Sequence, residues 1–241
     1  MKKIISILSL LFVLFTLSAQ KPEDTEDWSR RPVIVTPGKN SMPPSDAIIL
    51  YRGKEDIINW TDEQGNPSKW LSDDSLTVVP GTGSIYTKML FGDVQLHVEW
   101  RTPSVVSDTG QGRGNSGVFM MGLYEIQVLD SYKNETYYNG QAGSIYKQYI
   151  PLVNACTPPG TWQSYDIFFN APVFNEDQTL KIPAYITVVQ NGILVQNHVE
   201  IKGPMTFEGM PAYKYHKSKL PLMLQEHKNP VSYRNIWIRE L

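Results

Sequence analysis

Three short stretches of the sequence alternate between apolar side chains and side chains that can take part in chemistry. Their polar members are Gln95, His97, Glu99 and Arg101 in the first stretch, Glu125 and Gln127 in the second, and Gln225 and His227 in the third. Carboxylate and imidazole groups can transfer protons, while amides and guanidinium groups can orient hydroxyls or polarise a carbonyl. This set, rich in neighbouring Trp and Tyr and poor in Lys, is typical of a surface that binds a sugar. The alternative interpretation is the solvated face of an antiparallel sheet.

The second stretch contains a longer pattern, Glu125-x-Gln127-x-x-Asp130. It partly resembles the strand of retaining β-glucanases on which two carboxylates act as nucleophile and general acid. Here an amide stands in the middle position and Asp in the last. Asp130 joins the side of Glu125 only if a bulge shifts the alternation, so we expect it to be either a ligand or a structural cap of the next turn.

The elements that must position these residues are β-strands. Runs of β-branched, aromatic and alternating residues predict ten strands, at 47–51, 75–79, 94–101, 116–121, 124–129, 163–169, 184–189, 193–196, 222–225 and 236–238. Asn191-Gly192 is typical of a two-residue type I′ hairpin. No segment has a convincing helical period. The prediction is an all-β fold, a two-sheet antiparallel sandwich of the jelly-roll type.

The chain divides into three predicted parts: residues 1–19, a Pro-rich N-terminal strap at 20–45, and the β domain at 46–241. The first part has two lysines, an apolar run and small residues up to Ala19, which is typical of a secretory signal peptide. Its apolar run is too short to span a membrane. We therefore expect a protein that does not span the membrane and is exported, periplasmic or secreted, after cleavage near Ala19.

Composition excludes some classes of function. The formal net charge is −2, from 22 basic and 24 acidic residues, so there is no basic excess with which to bind nucleic acid. The lone Cys156 cannot form an internal disulfide. The glycine-rich loop from Gly110 to Gly114 opens no predicted helix, which argues against a phosphate or nucleotide cofactor.

Longer phrases of the sequence resemble a known family. They are PSDAIILYRGKEDIINW, FGDVQLHVEWRTP, GQGRGNSGVFMMGLYEIQVLDSY, GQAGSIYKQYIPLVNA, PPGTWQSYDIFFNAP and LQEHKNPVSYRNIWIREL. Together they are similar to the 3-keto-disaccharide hydrolase domain, and the resemblance runs from about Trp28 to the last residue. It implies a concanavalin A-like lectin/glucanase jelly roll.

The resemblance also implies an activity, the cleavage of glycosidic bonds in sugars that carry a ketone at carbon 3. The bond is broken by hydrolysis or by elimination after the C2 proton is removed, a step that the ketone makes easier. The substrate is then a keto-disaccharide or another keto-glycoside. Because the chain contains no oxidoreductase segment, a separate sugar 3-dehydrogenase must supply the keto group.

The resemblance carries over to residues inside the matching phrases. It implies Glu125 as catalytic base or acid, His227 as proton carrier or metal ligand, and Arg101 and Arg234 as groups that polarise the ketone or enolate. The predicted substrate-binding residues are Gln127, Asn115, Tyr146, Gln225, Arg234, Asp130 and His97. This sequence departs from the family at Lys147, where Gly is more usual, and at Glu226-His227-Lys228, where Asp-His-Gly is expected. The two lysines are expected to alter the rim of the cleft and so the choice of substrate.

Two questions stay open at the level of sequence. No local zinc motif is present, but His97 or His227 could share a divalent metal with Glu125 or Asp130 if the fold brings them together. The same architecture also serves non-catalytic, lectin-like modules. A conventional retaining β-glycosidase is a further alternative, weakened because Gln127 stands where an acid would be needed.

Overall fold

A computed structural model of the protein describes residues 21–241, which fall into two units divided after Val35. The predicted signal peptide lies outside the described residues. The described part of the first unit has one 3-10 turn, Pro22–Thr25, where the Asp24 carboxylate accepts a hydrogen bond from the Lys21 backbone amide at 3.1 Å. No helix within residues 21–241 is both long and apolar enough to cross a membrane.

The regular secondary structure of the second unit is almost entirely β-strand, and the strands are joined by loops and short 3-10 turns. The strands are β1 (Ile48–Tyr51), β2 (Trp60–Thr61), β3 (Leu71–Ser72), β4 (Leu76–Thr77), β5 (Ile85–Phe91), β6 (Val94–Arg101), β7 (Ser116–Met120), β8 (Tyr124–Val128), β9 (Gln163–Asn170), β10 (Val173–Phe174), β11 (Leu180–Ile182), β12 (Tyr185–Gln190), β13 (Ile193–Glu200), β14 (Leu220–Leu224) and β15 (Ser232–Glu240).

These strands form two main antiparallel sheets. The eight-stranded sheet has the order β13-β12-β9-β6-β15-β4-β3, with β1 also paired to β15, and the five-stranded sheet has the order β2-β5-β14-β7-β8. Strands β10 and β11 form a separate hairpin. Leu96 and Trp100 of β6 lie in one buried hydrophobic cluster with Ile126 of β8 and Leu222 of β14, so the two sheets pack on each other through a shared core. This confirms the predicted all-β antiparallel sandwich, and the sheet topology is compatible with the predicted jelly-roll type.

Each of the ten predicted strands overlaps an observed one. The predicted hairpin is also confirmed, because Asn191 and Gly192 between β12 and β13 have φ values of 53° and 78°. Strand β5 was not predicted. Its alternation of buried and exposed positions breaks down where Lys88, Met89 and Leu90 are all exposed, so a period of two does not describe it.

The alternating stretches lie in different sheets. Strand β6 belongs to the eight-stranded sheet, whereas β8 and the end of β14 belong to the five-stranded sheet. Because the apolar side of each strand faces the shared core, the polar sides face outward in opposite directions. The sequence led us to expect one polar surface, and the fold instead forms two.

A buried chain of hydroxyl groups connects the two sheets. The Tyr233 hydroxyl of β15 donates to Ser116 Oγ of β7 at 2.6 Å, and Ser116 Oγ donates to the carbonyl oxygen of Gln225 at 2.5 Å. Tyr233 and Ser116 are both fully buried. The chain fixes the backbone just beyond β14, where Gln225 and His227 follow.

Removing the first hydroxyl should destabilise the sandwich. We expect Tyr233→Phe to lower the free energy of unfolding by about 1 kcal/mol, the usual net contribution of a buried hydrogen bond, measured by urea denaturation. Tyr138→Phe is the matched control, because the Tyr138 side chain is exposed and should change stability by less than about 0.5 kcal/mol. Equal losses in the two variants would contradict a contribution from the inter-sheet hydrogen bond.

Candidate functional site

A pocket of about 220 Å³ opens on the outer face of the five-stranded sheet. Its lining residues are Asn115, Glu125, Gln127, Tyr146, Met205, Phe207, Gln225 and His227. All of them except Met205 and Phe207 are among the site residues predicted from the sequence. The volume is below the roughly 300 Å³ at which pockets for drug-sized ligands begin, so the pocket suits a single sugar-sized ring.

Three neighbouring strands position the floor of this pocket. Glu125 and Gln127 lie on one side of β8, opposite Phe119 and Gly117 of β7. Beyond the end of β14, the Gln225 backbone amide donates to the Gly117 carbonyl at 3.0 Å, which continues the pairing of β14 with β7. The strand register therefore brings together residues that are about a hundred positions apart in the chain.

Gly117 makes room for the Glu125 side chain. A Cβ atom at position 117 would lie 2.7 Å from Glu125 Oε1 and 2.7 Å from the Phe119 ring, closer than real Cβ contacts allow. Only glycine leaves this space between β7 and β8. The carboxyl group therefore lies directly over the backbone of β7.

The chain segment 143–146 closes the other side of β8. The Gln127 backbone amide donates to the Ser144 carbonyl at 3.0 Å, and the Gly143 amide donates to the Gln127 carbonyl at 3.1 Å. The Tyr146 amide donates to the Glu125 carbonyl at 3.2 Å. The segment acts as a further edge of the sheet and excludes water from the Glu125 side chain, which is 3% exposed.

Burial raises the pKa of Glu125 to about 8. Glu125 Oε2 is buried and has no hydrogen-bond partner among the described residues. No described cation forms an ion pair with the carboxyl group, so little opposes the effect of burial on its pKa. A carboxyl group with a pKa near neutrality and a free oxygen in a pocket can serve as a general acid or a general base.

The side-chain amide of Gln127 is coupled to the protonation of Glu125. One end of the amide lies 2.9 Å from Glu125 Oε1 and 3.2 Å from the Ser116 carbonyl oxygen, and the other lies 3.1 Å from Gln111 Oε1 and 3.4 Å from Asn115 Oδ1. With Nε2 toward Glu125 the amide donates to the ionised carboxylate, whereas with Oε1 toward Glu125 it accepts from the protonated acid. A change of protonation therefore favours a turn of this amide.

Gln111 favours the second orientation. Its Nε2 donates to the Gly140 carbonyl at 2.8 Å and to Thr136 Oγ1 at 3.0 Å, which directs its Oε1 toward Gln127. Gln127 then donates to Gln111 and presents its own Oε1 to Glu125. This arrangement suits a protonated Glu125, in agreement with the raised pKa, although it leaves Gln127 Oε1 close to the Ser116 carbonyl.

Tyr146 adds a phenol to the pocket. Its hydroxyl shares a hydrogen bond with the Tyr137 hydroxyl. Burial, followed by the hydrogen bond with Tyr137 and the negative charges that Tyr137 and Glu125 can carry, raises the pKa of Tyr146. The phenol therefore stays neutral and can donate a hydrogen bond to a developing negative charge.

Two predicted arginines lie outside the pocket. Arg101 and Arg234 belong to the eight-stranded sheet, where their guanidinium carbons lie 4.5 and 4.1 Å from the centre of the Trp162 ring. Arg234 also donates to Glu99 at 2.6 Å. Neither lines the pocket with Glu125, so the expected role in polarising a ketone there has no geometric support.

His97 and Asp130 are likewise held elsewhere. His97 Nδ1 lies 2.6 Å from Asp166 Oδ1, and its ring stacks on Trp237 at 5.2 Å. Asp130 accepts hydrogen bonds from Arg113 Nε at 2.6 Å and from the Tyr132 backbone amide at 3.1 Å. It therefore caps the turn that follows β8, which is one of the two roles expected from the sequence. The strand direction after β8 carries Asp130 away from the pocket lining.

The candidate metal ligands do not come together as a set. Glu125 and His227 share the pocket, but His97 and Asp130 do not join them. Within residues 21–241, no group of three His, Cys, Asp or Glu side chains is close enough to hold a metal ion. The other polar groups of the pocket are amides and a phenol.

Two apolar lining residues were missed in the sequence. Met205 and Phe207 lie in the loop between β13 and β14. The Met205 backbone amide donates a hydrogen bond to the Leu123 carbonyl at 2.8 Å, which holds the loop beside the start of β8. Gly and Pro in this segment indicate a loop, but no local pattern reports which distant strand a loop covers. The positioning residue Gln111 was missed for the same reason.

Comparisons with known proteins identify the family of this chain. Residues 46–239 match the family described as the 3-keto-alpha-glucoside-1,2-lyase-like domain. A crystal structure from Parabacteroides distasonis, of a protein provisionally designated a glycosyl hydrolase, is 45% identical, covers 93% of this chain and 98% of its own, and has a TM-score of 0.89. No curated protein matches the chain.

A second Parabacteroides distasonis structure with the same provisional designation shares the fold. It is 19% identical, covers 81% of this chain and 94% of its own, and has a TM-score of 0.59. A third is 23% identical, covers 81% and 99%, and has a TM-score of 0.53. The family and the 45% identical relative support a carbohydrate-acting enzyme.

The raised pKa of Glu125 should appear in the pH dependence of stability. A folded-state pKa above the unfolded value stabilises the protein at low pH, and this contribution is lost as pH rises from about 4.5 through about 8. The free energy of unfolding of the wild type should therefore fall relative to Glu125→Gln across this range, by at most about 1.4 kcal/mol per pH unit.

Urea denaturation at a series of pH values measures this difference. The exposed Glu176 provides the control, because Glu176→Gln should follow the wild type at every pH. A constant difference between wild type and Glu125→Gln from pH 5 to 8 would show that the pKa of Glu125 is not raised.

Proposed function

Because this chain belongs to the 3-keto-alpha-glucoside-1,2-lyase-like domain family, we propose that its pocket binds a glycoside with a ketone at carbon 3 and cleaves the glycosidic bond. The observation that carries the proposal is the buried Glu125 carboxyl group, which has a free oxygen and a pKa of about 8. Such a group is suited to moving a proton on a bound sugar.

The ketone explains why one carboxyl group is enough. It acidifies the hydrogen at C2, so a base can remove that proton and leave an enolate with its charge on the C3 oxygen. When the enolate collapses, the C1–O bond breaks, a C1=C2 double bond forms, and the leaving oxygen takes a proton. Addition of water across this double bond gives the free 3-keto sugar.

The lining residues supply a group for each step. Ionised Glu125 removes the C2 proton, and at pH 7 a pKa near 8 leaves roughly a tenth of the carboxyl groups ionised before substrate binds. Gln127 can turn its Nε2 toward the carboxylate. The neutral Tyr146 phenol donates to the enolate, and His227, exposed at the pocket mouth, protonates the leaving oxygen.

Amides take the place of the arginines expected from the sequence. Asn115 and Gln225 line the pocket beside Glu125, and Gln225 Oε1 is buried without a hydrogen-bond partner among the described residues. A sugar hydroxyl can donate to this oxygen, which would otherwise carry the cost of an unpaired buried polar group. The amides thus bind and orient the keto sugar.

A retaining glycosidase mechanism is less well supported. It needs two carboxyl groups about 5–5.5 Å apart, one as nucleophile and one as acid. Glu125 is the one carboxylic acid among the residues that line the described pocket. Proton removal next to a ketone needs only this one.

Two parts of the proposal rest on the sequence alone. Export to the periplasm or outside the cell rests on the signal-like residues 1–19. A separate sugar 3-dehydrogenase is required because the substrate must already carry its ketone when it reaches the pocket.

Turnover of matched substrates tests the proposal. The purified protein should cleave a 3-keto disaccharide and leave the same unoxidised disaccharide intact, with products followed by mass spectrometry. Glu125→Gln should lower kcat/KM by about 10²- to 10⁴-fold, the usual contribution of a general base. Glu226→Gln should retain activity, because Glu226 does not line the pocket.

Each other outcome has a distinct meaning. Cleavage of the unoxidised sugar would favour an ordinary glycosidase, and binding without cleavage of either sugar would favour a lectin-like module. An unimpaired Glu125→Gln variant would remove Glu125 from the mechanism. Running the assay with and without a chelator reports whether a divalent metal takes part.

A further inference from the structure

One wall of the pocket differs in chemistry from its floor. The floor is made of amides and one carboxylic acid, whereas the wall is formed by Met205 and Phe207. The Phe207 side chain is 66% exposed even though it lines the pocket. Together with Met205, this exposed ring gives a bound ligand apolar surface to cover beside the polar floor.

Two residues that follow the segment 143–146, Lys147 and Gln148, hold the loop that carries this wall. The Lys147 ammonium group donates to the Phe207 carbonyl at 2.7 Å and lies 3.9 Å from the centre of the Phe207 ring. Gln148 Nε2 donates to the Gly203 carbonyl at 2.9 Å, and its Oε1 accepts from the Lys202 backbone amide at 2.8 Å. The wall is therefore preformed rather than assembled by the ligand.

Lys147 holds this position against its own backbone preference. Its φ is +56°, in the left-handed region that favours glycine. Its half-buried side chain compensates by contacting the backbone and the ring of Phe207. This contact is a device that presents Phe207 at the pocket mouth.

From this wall we infer that the preferred leaving group is an aglycone with a flat apolar ring, such as a phenol, over a second sugar. A sugar that stacks on an aromatic ring also needs hydrogen-bond partners for its hydroxyls. Phe207 offers none, Met205 only a weakly accepting sulfur, and one Lys147 donor is already used by the Phe207 carbonyl. An aromatic aglycone needs only the apolar surface.

The inference rests on the proposed function and places the keto sugar on the amide floor, with its C1 substituent against Phe207. The experiment compares a 3-keto phenyl glucoside with a 3-keto glucosyl-glucose of the same anomeric form. Phe207→Ala should lower kcat/KM for the phenyl glucoside about tenfold more than for the disaccharide. Comparing the two losses removes the difference in leaving-group chemistry.

Lys147→Gly tests the device that presents the ring. It relieves the left-handed backbone but removes both contacts to Phe207, so it should shift selectivity in the same direction as Phe207→Ala. Lys133→Gly is the matched control, because Lys133 is an exposed lysine with a φ of +49° that does not line the pocket. It should leave the selectivity unchanged.

Binding separates this inference from the proposed function. Calorimetric titration measures the affinity for the unoxidised phenyl glucoside and for the unoxidised disaccharide, and it needs no cleavage. The wild type should bind the phenyl compound more tightly, and Phe207→Ala should remove this difference in affinity while leaving the affinity for the disaccharide unchanged. If no keto-glycoside is cleaved but this binding advantage exists and is lost in the variant, the apolar wall binds an aromatic ring and the proposed cleavage fails. Equal losses for both compounds, or no phenyl advantage in the wild type, would overturn the inference.

Discussion

The burial of one carboxyl group without a counter-charge is the constraint on which the pocket depends. Moving a charged carboxylate out of water is costly, so Glu125 binds its proton more tightly and its pKa rises to about 8. Nearby Arg and Lys side chains would reverse this effect, and the arginines of the eight-stranded sheet lie outside the pocket lining. Their separation from Glu125 preserves a group that can take up or release a proton near neutral pH.

The sandwich produces this environment through backbone pairing rather than through ionic contacts. Gly117 leaves space above β7, the segment 143–146 pairs along β8, and Gln111 orients the amide of Gln127. The hydroxyl chain from Tyr233 through Ser116 fixes the carbonyl of Gln225. These contacts connect the pocket residues directly to the core of the fold.

Much of this arrangement could be predicted from the sequence, because a period of two reports which side of a strand is polar. This period identified strands β6 and β8 and placed the Glu125 side chain on the same side of its strand as Gln127. The period does not report which sheet a strand joins, so Arg101, Arg234 and His97 were grouped with a pocket that they do not line. Met205 and Phe207 escaped notice because a loop has no period, and the irregular β5 was missed for a similar reason.

The central claim is that cleavage begins with removal of the C2 proton by Glu125. The most direct test is a 3-keto glycoside carrying deuterium at C2, incubated briefly with the wild type and with Glu125→Gln, with the products weighed by mass spectrometry. The account predicts that the wild type cleaves this glycoside more slowly than the undeuterated glycoside and releases sugar that has lost deuterium to water, while the uncleaved substrate in the Glu125→Gln reaction keeps it. Release of a keto sugar that retains all of its C2 deuterium, at the same rate as from the undeuterated glycoside, would contradict the account and indicate direct displacement at C1.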